Sequence, residues 1–505
     1  MPSVTLGQAT VPLVLAIDIG SSSVRSLLYD ADGRQVEETE CQLSHTLRTD
    51  SEGAAEADPD HLVELVNRCI DRTTDRTQSR AEEIAAVGIT SFWHSLMGID
   101  GDGRPTTPLY SWADKRAGSV VAGLTREFPV EQSIRETGCR IHSSYWPAKL
   151  VWLQRTQPDV VAKTATWLSF PDYLALRQTG QAVTSISMAS GTGLLAADRL
   201  TWYQPLLDAI GLQISQLPPI IDRTDPLPEL LSEYRRRWPG LADLPWYPAI
   251  GDGAAANVGA GCVGADRVAL TVGTSAAMRT IVPDREQRED TPLGQLWVYR
   301  LDRERKVIGG ALSNGGNVTA WLAEHFAQGD FAHLASGAEC IAPDGHGLTV
   351  LPFLAGERSP SWDDAATGVF AGVRLSTTPA EIYRATLEAT AYRLAAIYDD
   401  LRGVVEGQHE IHANGTAVLS SPLWLQIMSD VLGHAVQALD AEAEASARGA
   451  AICALEAVGA VTTLHPAANA VIREYQPDPS TREAYDRGRA RQRRLEAAVA
   501  ATRPV

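Results

Sequence analysis

Asp18 stands near the end of an apolar run, Val14 to Ile19, and is followed at once by Gly20-Ser21-Ser22-Ser23. A turn of small hydroxyl residues offers N–H dipoles and hydroxyls to phosphate oxygens, and a carboxylate beside it can hold the accompanying Mg²⁺. Taken alone, the stretch is equally compatible with an ordinary hairpin and a Ser-rich turn. The pattern recurs half a chain length later, where Ala16-Ile17-Asp18-Ile19-Gly20-Ser21-Ser22 lines up with Ala269-Leu270-Thr271-Val272-Gly273-Thr274-Ser275. Asp252 lies between two glycines, after an apolar stretch and at the start of an Ala/Gly-rich helix. A carboxylate there projects from a helix start into the space between lobes, or else simply caps the helix. Trp93-His94 at a strand tip, and Asp114 with Arg116 after Leu109-Tyr110, are residue types that hold a hydroxyl-rich ligand. The aromatic gives a platform, the acid accepts from hydroxyls and the guanidinium donates.

These groups need rigid elements to aim them. Val14 to Ile19 reads as a buried strand returning through a tight turn, and Ala269 to Val282 repeats strand, turn, strand. Self-similarity at half the chain length implies two lobes of related architecture, each bringing one phosphate-holding hairpin to a shared cleft. This resembles the actin-like ATPase (ribonuclease H-like) fold: α/β, two-lobed, with duplicated domains around a cleft. The expected division is residues 12–249 for the first lobe, 250–475 for the second with Asp252 and the nucleotide segments, and 476–505 for a solvated helical tail. Asp58-Pro59 starts a helix with Leu62, Leu65, Val66 and Cys69 at helical spacing. Thr378-Pro379-Ala380-Glu381 starts another, whose stripe Tyr383, Leu387, Ala391, Leu394, Tyr398 and Leu401 is core. Between them, Ser313-Asn314-Gly315-Gly316-Asn317 is a turn after a strand that lets backbone approach a ligand closely. The loop Ser187 to Gly193 carries no specific chemistry of its own.

With 505 residues and 44% hydrophobic content, the chain can build two large cores. A net charge of −18 argues against nucleic acid or an anionic membrane as the main partner, so any anionic ligand must be held by a local cluster. Six cysteines without C-x-x-C pairs read as buried free thiols in a reducing compartment, which with no signal peptide or membrane span makes the expected location cytoplasmic.

The motifs together resemble the FGGY family of carbohydrate kinases. AIDIGSSSVR is similar to its first phosphate hairpin, AIGDGAAANVGAG to its catalytic-aspartate segment and LTVGTSA to its second phosphate hairpin. VIGGALSNGGNVTAWL is similar to its nucleotide segment, and LPFLAGERSPSWDDAATGVFAGV to the signature ahead of its long C-lobe helix. They run in the family's order from Val14 to about Gly459. One segment departs: the family's Gly-Gly pair before the Trp-containing helix is replaced by Asn414-Gly415-Thr416. Within the family, SFWHSLMGID, SWADKRA, VIGGALSNGG and TVGTSAAMRTI most resemble gluconate kinases, while xylulose kinases usually have Asn in place of Ala113.

The resemblance implies ATP-dependent transfer of a γ-phosphoryl group to a hydroxyl of a sugar acid, with a neutral ketose or polyol as the alternative substrate. A chaperone-type or polymer-forming ATPase, or a regulatory module, would share the fold without needing the sugar groups. Gly20, Ser21, Ser22, Ser23, Gly273 and Thr274 would grip the ATP phosphates, with Arg25 adding charge and Asn314, Gly316, Gly415 and Thr416 serving the nucleotide. Asp18 would hold Mg²⁺, with Asp252 as a second carboxylate at the metal and as general base. Trp93, His94, Asp114 and Arg116 would hold the sugar. Arg116 is the first choice for the substrate carboxylate, ahead of His142, Lys149 and His94. The expected partners are ATP and the sugar, with a homodimer left open.

Overall fold

The computed structural model describes residues 3–284, 294–326, 331–405, 407–440, 445–464 and 471–502. Its first central sheet contains β1 (Leu13–Ile19), β2 (Ser23–Tyr29), β3 (Cys41–Ser44), β4 (Ile84–Ser91) and β5 (Ile250–Gly251), in the order β5-β4-β1-β2-β3. β1 and β2 form an antiparallel hairpin in which Asp18 faces Arg25, and β4 and β5 run parallel beside β1. The second sheet repeats this plan. β6 (Arg267–Val272) and β7 (Ala276–Pro283) are the hairpin, β8 (Trp297–Arg300) and β9 (Arg305–Leu312) extend it antiparallel, and β10 (Glu410–Asn414) and β11 (Val436–Leu439) run parallel on the far side. β12 (Val471–Tyr475) closes that edge. The duplication expected from the repeated turn is therefore a duplication of sheet topology.

The helices begin where local chemistry starts them. α1 (Pro59–Thr77) is capped by Asp58, which accepts from the N–H groups of Asp60 and His61, and it buries Leu62, Leu65, Val66 and Cys69. After α2 (Asp252–Gly259) and α3 (Gly316–Phe326), the long α4 (Pro379–Leu401) opens with a capping box between Thr378 and Glu381. Its stripe from Tyr383 to Leu401 is buried in the second lobe's core. α5 (Thr416–Leu419) and α6 (Pro422–Leu432) follow, with Gly433 in the left-handed region ending α6.

The lobes divide differently from the expected boundary at residue 250. β5 hydrogen-bonds to β4, so the strand that delivers Asp252 belongs to the first sheet. α7 (Ala445–Ala457), sequentially in the second lobe, also returns to the first sheet, where Ala447, Ala451, Ala454 and Leu455 pack on Val14, Ala16, Leu27 and Ala86. α2 and α7 cross almost backbone to backbone: a Cβ on Gly259 would overlap the carbonyl of Ala445, and one on Gly449 that of Ala255. The terminal helix α8 (Arg482–Ala501) is docked rather than solvated. Tyr485, Arg489 and Gln492 are buried, and Gln492 donates to the carbonyls of Val350 and Ala389. Five of the six thiols are buried and Cys340 is exposed; none is disulfide-bonded. No described helix is long and apolar enough to cross a membrane.

Candidate active site

A cleft of about 350 Å³ opens between the two hairpins. Ser21 and Ser22 line it from the first lobe, and Gly273, Thr274 and Ser275 from the second. Each turn is closed on itself, Gly20 N–H donating to Ser23 O at 2.9 Å and Gly273 N–H to Ser275 O at 3.0 Å. The second turn is one residue shorter, since Ile19 pairs with Val24 but Val272 pairs with Ala276. Two more backbone segments meet the second turn. Gly316 N–H donates to Gly273 O at 2.8 Å, and a Cβ on Gly415, whose φ is +97°, would strike the backbone of Val272. Gly273, Gly316 and Gly415 thus meet, with Thr274 O accepting from Asn317 N–H at 3.1 Å and Thr416 following Gly415 at the start of α5. Asn314 is different: its buried side chain accepts from Ala355 N–H at 3.0 Å and donates to Gly356 O at 2.7 Å, so it staples a neighbouring loop. Arg25 lies opposite Asp18 but reaches toward Glu40, 3.8 Å away, rather than lining the cleft.

Asp252 follows β5 directly and opens α2, so the first sheet aims it into the cleft. Its Oδ1 accepts from Gly253 N–H at 2.7 Å. Burial raises its pKa, opposed by the Arg279 guanidinium, the Gly253 N–H and, more weakly, Arg358. The glycines on either side are there for Trp93: a Cβ on Gly251 would overlap the indole, and one on Gly253 would crowd both the indole and Arg279. Trp93 Nε1 donates to Ser187 O at 2.9 Å while Gly251 N–H donates to Ser187 Oγ at 3.1 Å. The loop that sequence left without a role therefore anchors the segment that carries Asp252, and Trp93 is as much a wedge under Asp252 as a wall of the cleft.

His94, also on the cleft, has a positive φ of 69° and Nδ1 2.5 Å from Gly191 O. Burial pulls its pKa down to about 3, so the ring is neutral. A neutral ring with Nδ1 against a carbonyl carries its proton there, which leaves Nε2 as an acceptor. Trp297 and Tyr299 on β8 stack at 4.1 Å and complete an aromatic wall with Trp93, whose ring centroid is 4.9 Å from that of Tyr299.

The structure places the cations expected for a substrate carboxylate in partnered positions. Arg116 is held by both Asp114 and Glu56, its Nη2 lying 2.5 Å from a carboxylate oxygen of each, and its guanidinium lies over the Trp152 ring. Asp114 in turn accepts from Ala55 N–H and Arg116, and neither residue is among those lining the cleft. Lys149 is fully used by the carbonyls of His94, Ser111 and Ser144, at 3.1, 2.7 and 2.9 Å. His142 faces Asp364 at 3.2 Å. In their place the cleft presents two arginines that sequence reasoning passed over, Arg279 on β7 and Arg358 in the Gly-Glu-Arg-Ser-Pro segment. Among the described residues neither has a carboxylate within ion-pair distance, and both carry a buried Nε without a partner. An arginine inside the apolar run Ala276 to Val282 was the available signal, because strands rarely bury an unpaired guanidinium. Burial brings Arg279 down to about 10, so it is charged at neutral pH.

Removing Arg279 should therefore change how Asp252 titrates. A carboxylate acts as a base only when ionised, so with Asp252 in the role expected of it, activity should fall as pH drops through its raised pKa. The Arg279 charge opposes that rise, and without it the pKa climbs further. In Arg279→Met the acid limb of kcat/KM should move to higher pH; a limb that stays where the wild type has it separates the two groups.

The comparisons with known proteins agree with this architecture. Residues 13–259 match the N-terminal domain of the FGGY family of carbohydrate kinases, and residues 268–458 match its C-terminal domain. The first match includes Asp252, as the sheet pairing does. The chain is 27% identical to a gluconokinase of Bacillus subtilis (strain 168), covering 92% of this chain and 91% of that one. Among solved structures it superposes on a gluconate kinase from Lactobacillus acidophilus with a TM-score of 0.88 at 28% identity, covering 98% and 99% of the two chains. A xylulose kinase from Lactobacillus acidophilus gives the same score and identity, covering 97% and 99%. Matched over both lobes, with the paired hairpins and the aspartate between them, the chain belongs to the FGGY family of carbohydrate kinases, phosphotransferases that act on an alcohol group.

Proposed function

We propose that the protein phosphorylates a sugar acid, gluconate first among candidates, at the expense of ATP. The observation that carries this is the charge of the cleft: two guanidiniums, Arg279 and Arg358, face one carboxylate, Asp252. A neutral sugar needs no such excess once the nucleotide phosphates have the hairpins, whereas an acidic one does. The gluconokinase relative supports the same reading.

Phosphoryl transfer asks the protein for alignment and charge neutralisation. The turns Gly20 to Ser23 and Gly273 to Ser275 hold the phosphates from opposite lobes. Asp252 accepts the proton of the attacking hydroxyl, and Arg279, between Asp252 and Thr271, lies on the phosphoryl side, donating to Thr271 Oγ1 at 3.1 Å. The sugar lies against Trp93, His94 and Tyr299, where His94 Nε2 accepts from a hydroxyl. Asp18 suits a hydrated Mg²⁺. It is the penultimate residue of β1, two strands from β5 whose end leads into Asp252, so the two backbones stand roughly 10 Å apart across the sheet, with a hydrated ion fitting between the two carboxylates. The ion, when bound, neutralises charge on the β- and γ-phosphates. Closure of the lobes excludes water, which competes as acceptor.

A second reading, a neutral ketose, is favoured by relatives named xylulose kinases, one of them 25% identical over 91% of this chain. Comparing kcat/KM for gluconate, xylulose, ribulose, glycerol and erythritol decides between them. Gluconate is expected to lead; a neutral sugar ahead by tenfold or more overturns the sugar-acid reading and leaves the kinase assignment intact.

A further inference from the structure

We propose that Glu496, on the terminal helix α8, is a positioning residue of the active site: it orients Arg393, Arg393 holds Glu357, and Glu357 fixes the backbone that sets Arg358 in the cleft. This rests on Arg358 serving the acceptor, whether that is a sugar acid or a neutral sugar. The match to the family's C-terminal domain ends at residue 458, so α8 acts on the site from outside the matched segment.

The contacts run without a gap from α8 to the cleft. Arg393, on α4, meets Glu496 with two N–H groups, Nη1 to Oε2 at 2.6 Å and Nη2 to Oε1 at 3.1 Å. Its Nε donates to Glu357 Oε1 at 2.7 Å, and the guanidinium lies over the Phe353 ring, 5.1 Å from the centroid. Arg393 and Glu357 are both buried, while Glu496 is partly open to solvent. A planar fork gripped on two edges has one orientation. Among the described residues Nη1 has no partner but Glu496, so with that carboxylate gone the guanidinium turns toward solvent on the α8 side and loosens its hold on Glu357.

Glu357 passes this on to the cleft. Ser361 Oγ donates to its carboxylate and its own N–H donates to Asp363 O at 3.0 Å, which folds the segment around it. The next residue, Arg358, lines the cleft and lies over the Trp112 ring, 4.8 Å from its centroid. The same segment meets the first lobe twice, where Lys115 Nζ donates to Ala355 O and His142 faces Asp364 at 3.2 Å. α8 also supports it by apolar packing, with Leu495 and Val499 against Leu351, Phe353 and Ala366. A helix expected in solvent is thus the floor under a segment that both lines the cleft and touches the opposite lobe. Shifting that segment moves Arg358 and leaves both phosphate turns where they are, so the cost falls on the acceptor and not on ATP.

The test compares kcat and KM, for ATP and for gluconate and xylulose as acceptors, in the wild type, Glu496→Gln, Arg489→Met and Arg358→Met, with ADP-induced thermal stabilisation as the check on folding. Arg489 is the control, because its ion pair with Asp399, at 2.6 Å, docks α8 on α4 without joining the contacts that lead to Glu357. Glu496→Gln should raise KM about tenfold for the acceptor that the wild type prefers and leave KM for ATP unchanged, while Arg489→Met lowers Tm and keeps both KM values. Glu496→Asp, which keeps the charge on a shorter stem, should give a smaller rise of the same kind and replaces the glutamine variant should that fail to fold. A Glu496→Gln enzyme that keeps its acceptor KM, loses ATP and acceptor together, or changes only as Arg489→Met does makes α8 a stabilising helix and overturns the inference. Should Arg358→Met raise the acceptor KM while Glu496→Gln does not, the role of Glu496 alone is overturned. Wild-type kinetics in Arg358→Met would remove Arg358 from the acceptor site and this inference with it.

Discussion

Asp252→Asn is expected to lower kcat by about 10²–10⁴ while ATP still binds. The amide has the shape of the carboxylate and can still accept from Gly253 N–H, but it cannot take the proton of the attacking hydroxyl. The turns proposed to hold the phosphates lie on other strands, Gly20 to Ser23 between β1 and β2 and Gly273 to Ser275 between β6 and β7, so nucleotide affinity should change little. Single-turnover rates and ADP binding on the same preparation check both halves of the expectation. Near wild-type turnover would remove Asp252 from the role of base.

Gly251→Ala should cost about 10² in kcat through geometry alone. Gly251 has an ordinary φ of −66°, so alanine is allowed there by its backbone. The obstacle is the Trp93 indole, which occupies the space of the new methyl group. Trp93 is pinned through Nε1 to Ser187 and packs on Tyr299, so β5 has to shift instead, taking Asp252 with it. A displacement near 1 Å at a reacting group is enough for a loss of this size. ADP binding should survive, and Trp93→Leu combined with Gly251→Ala should regain part of the lost rate. A variant with unchanged kcat would show that the segment yields without moving Asp252.

Both effects depend on a support that lies elsewhere in the chain, and the difference between local and distant information runs through the whole molecule. Glycine on both sides of Asp252 was visible in the sequence as a pattern. The reason for it, an aromatic ring arriving from β4, was not. Likewise the loop from Ser187 to Gly193 reads as small residues without purpose, yet it holds the Trp93 indole, the His94 ring and the end of β5.

The sequence by itself determined what neighbours along the chain decide. The apolar runs and Gly-hydroxyl turns made both hairpins, the repeat announced two lobes of one plan, and the caps at Asp58 and Thr378 started α1 and α4. Asp252 was legible because its strand end and its helix start are adjacent. Tertiary structure decided which charges are spent. Arg116 looked available until Glu56, sixty positions away, and Asp114 closed on it. Arg279 and Arg358 gave no sign of their place until the fold brought both to the cleft, where no carboxylate of the described residues lies within ion-pair distance of either. The lobe boundary followed the same logic, since β5 and α7 belong to the sheet that buries them and not to the segment that precedes or follows them. A side chain's chemical freedom is set by what is packed against it, and packing partners are chosen by complementarity of surfaces and charge with no regard to their separation in sequence.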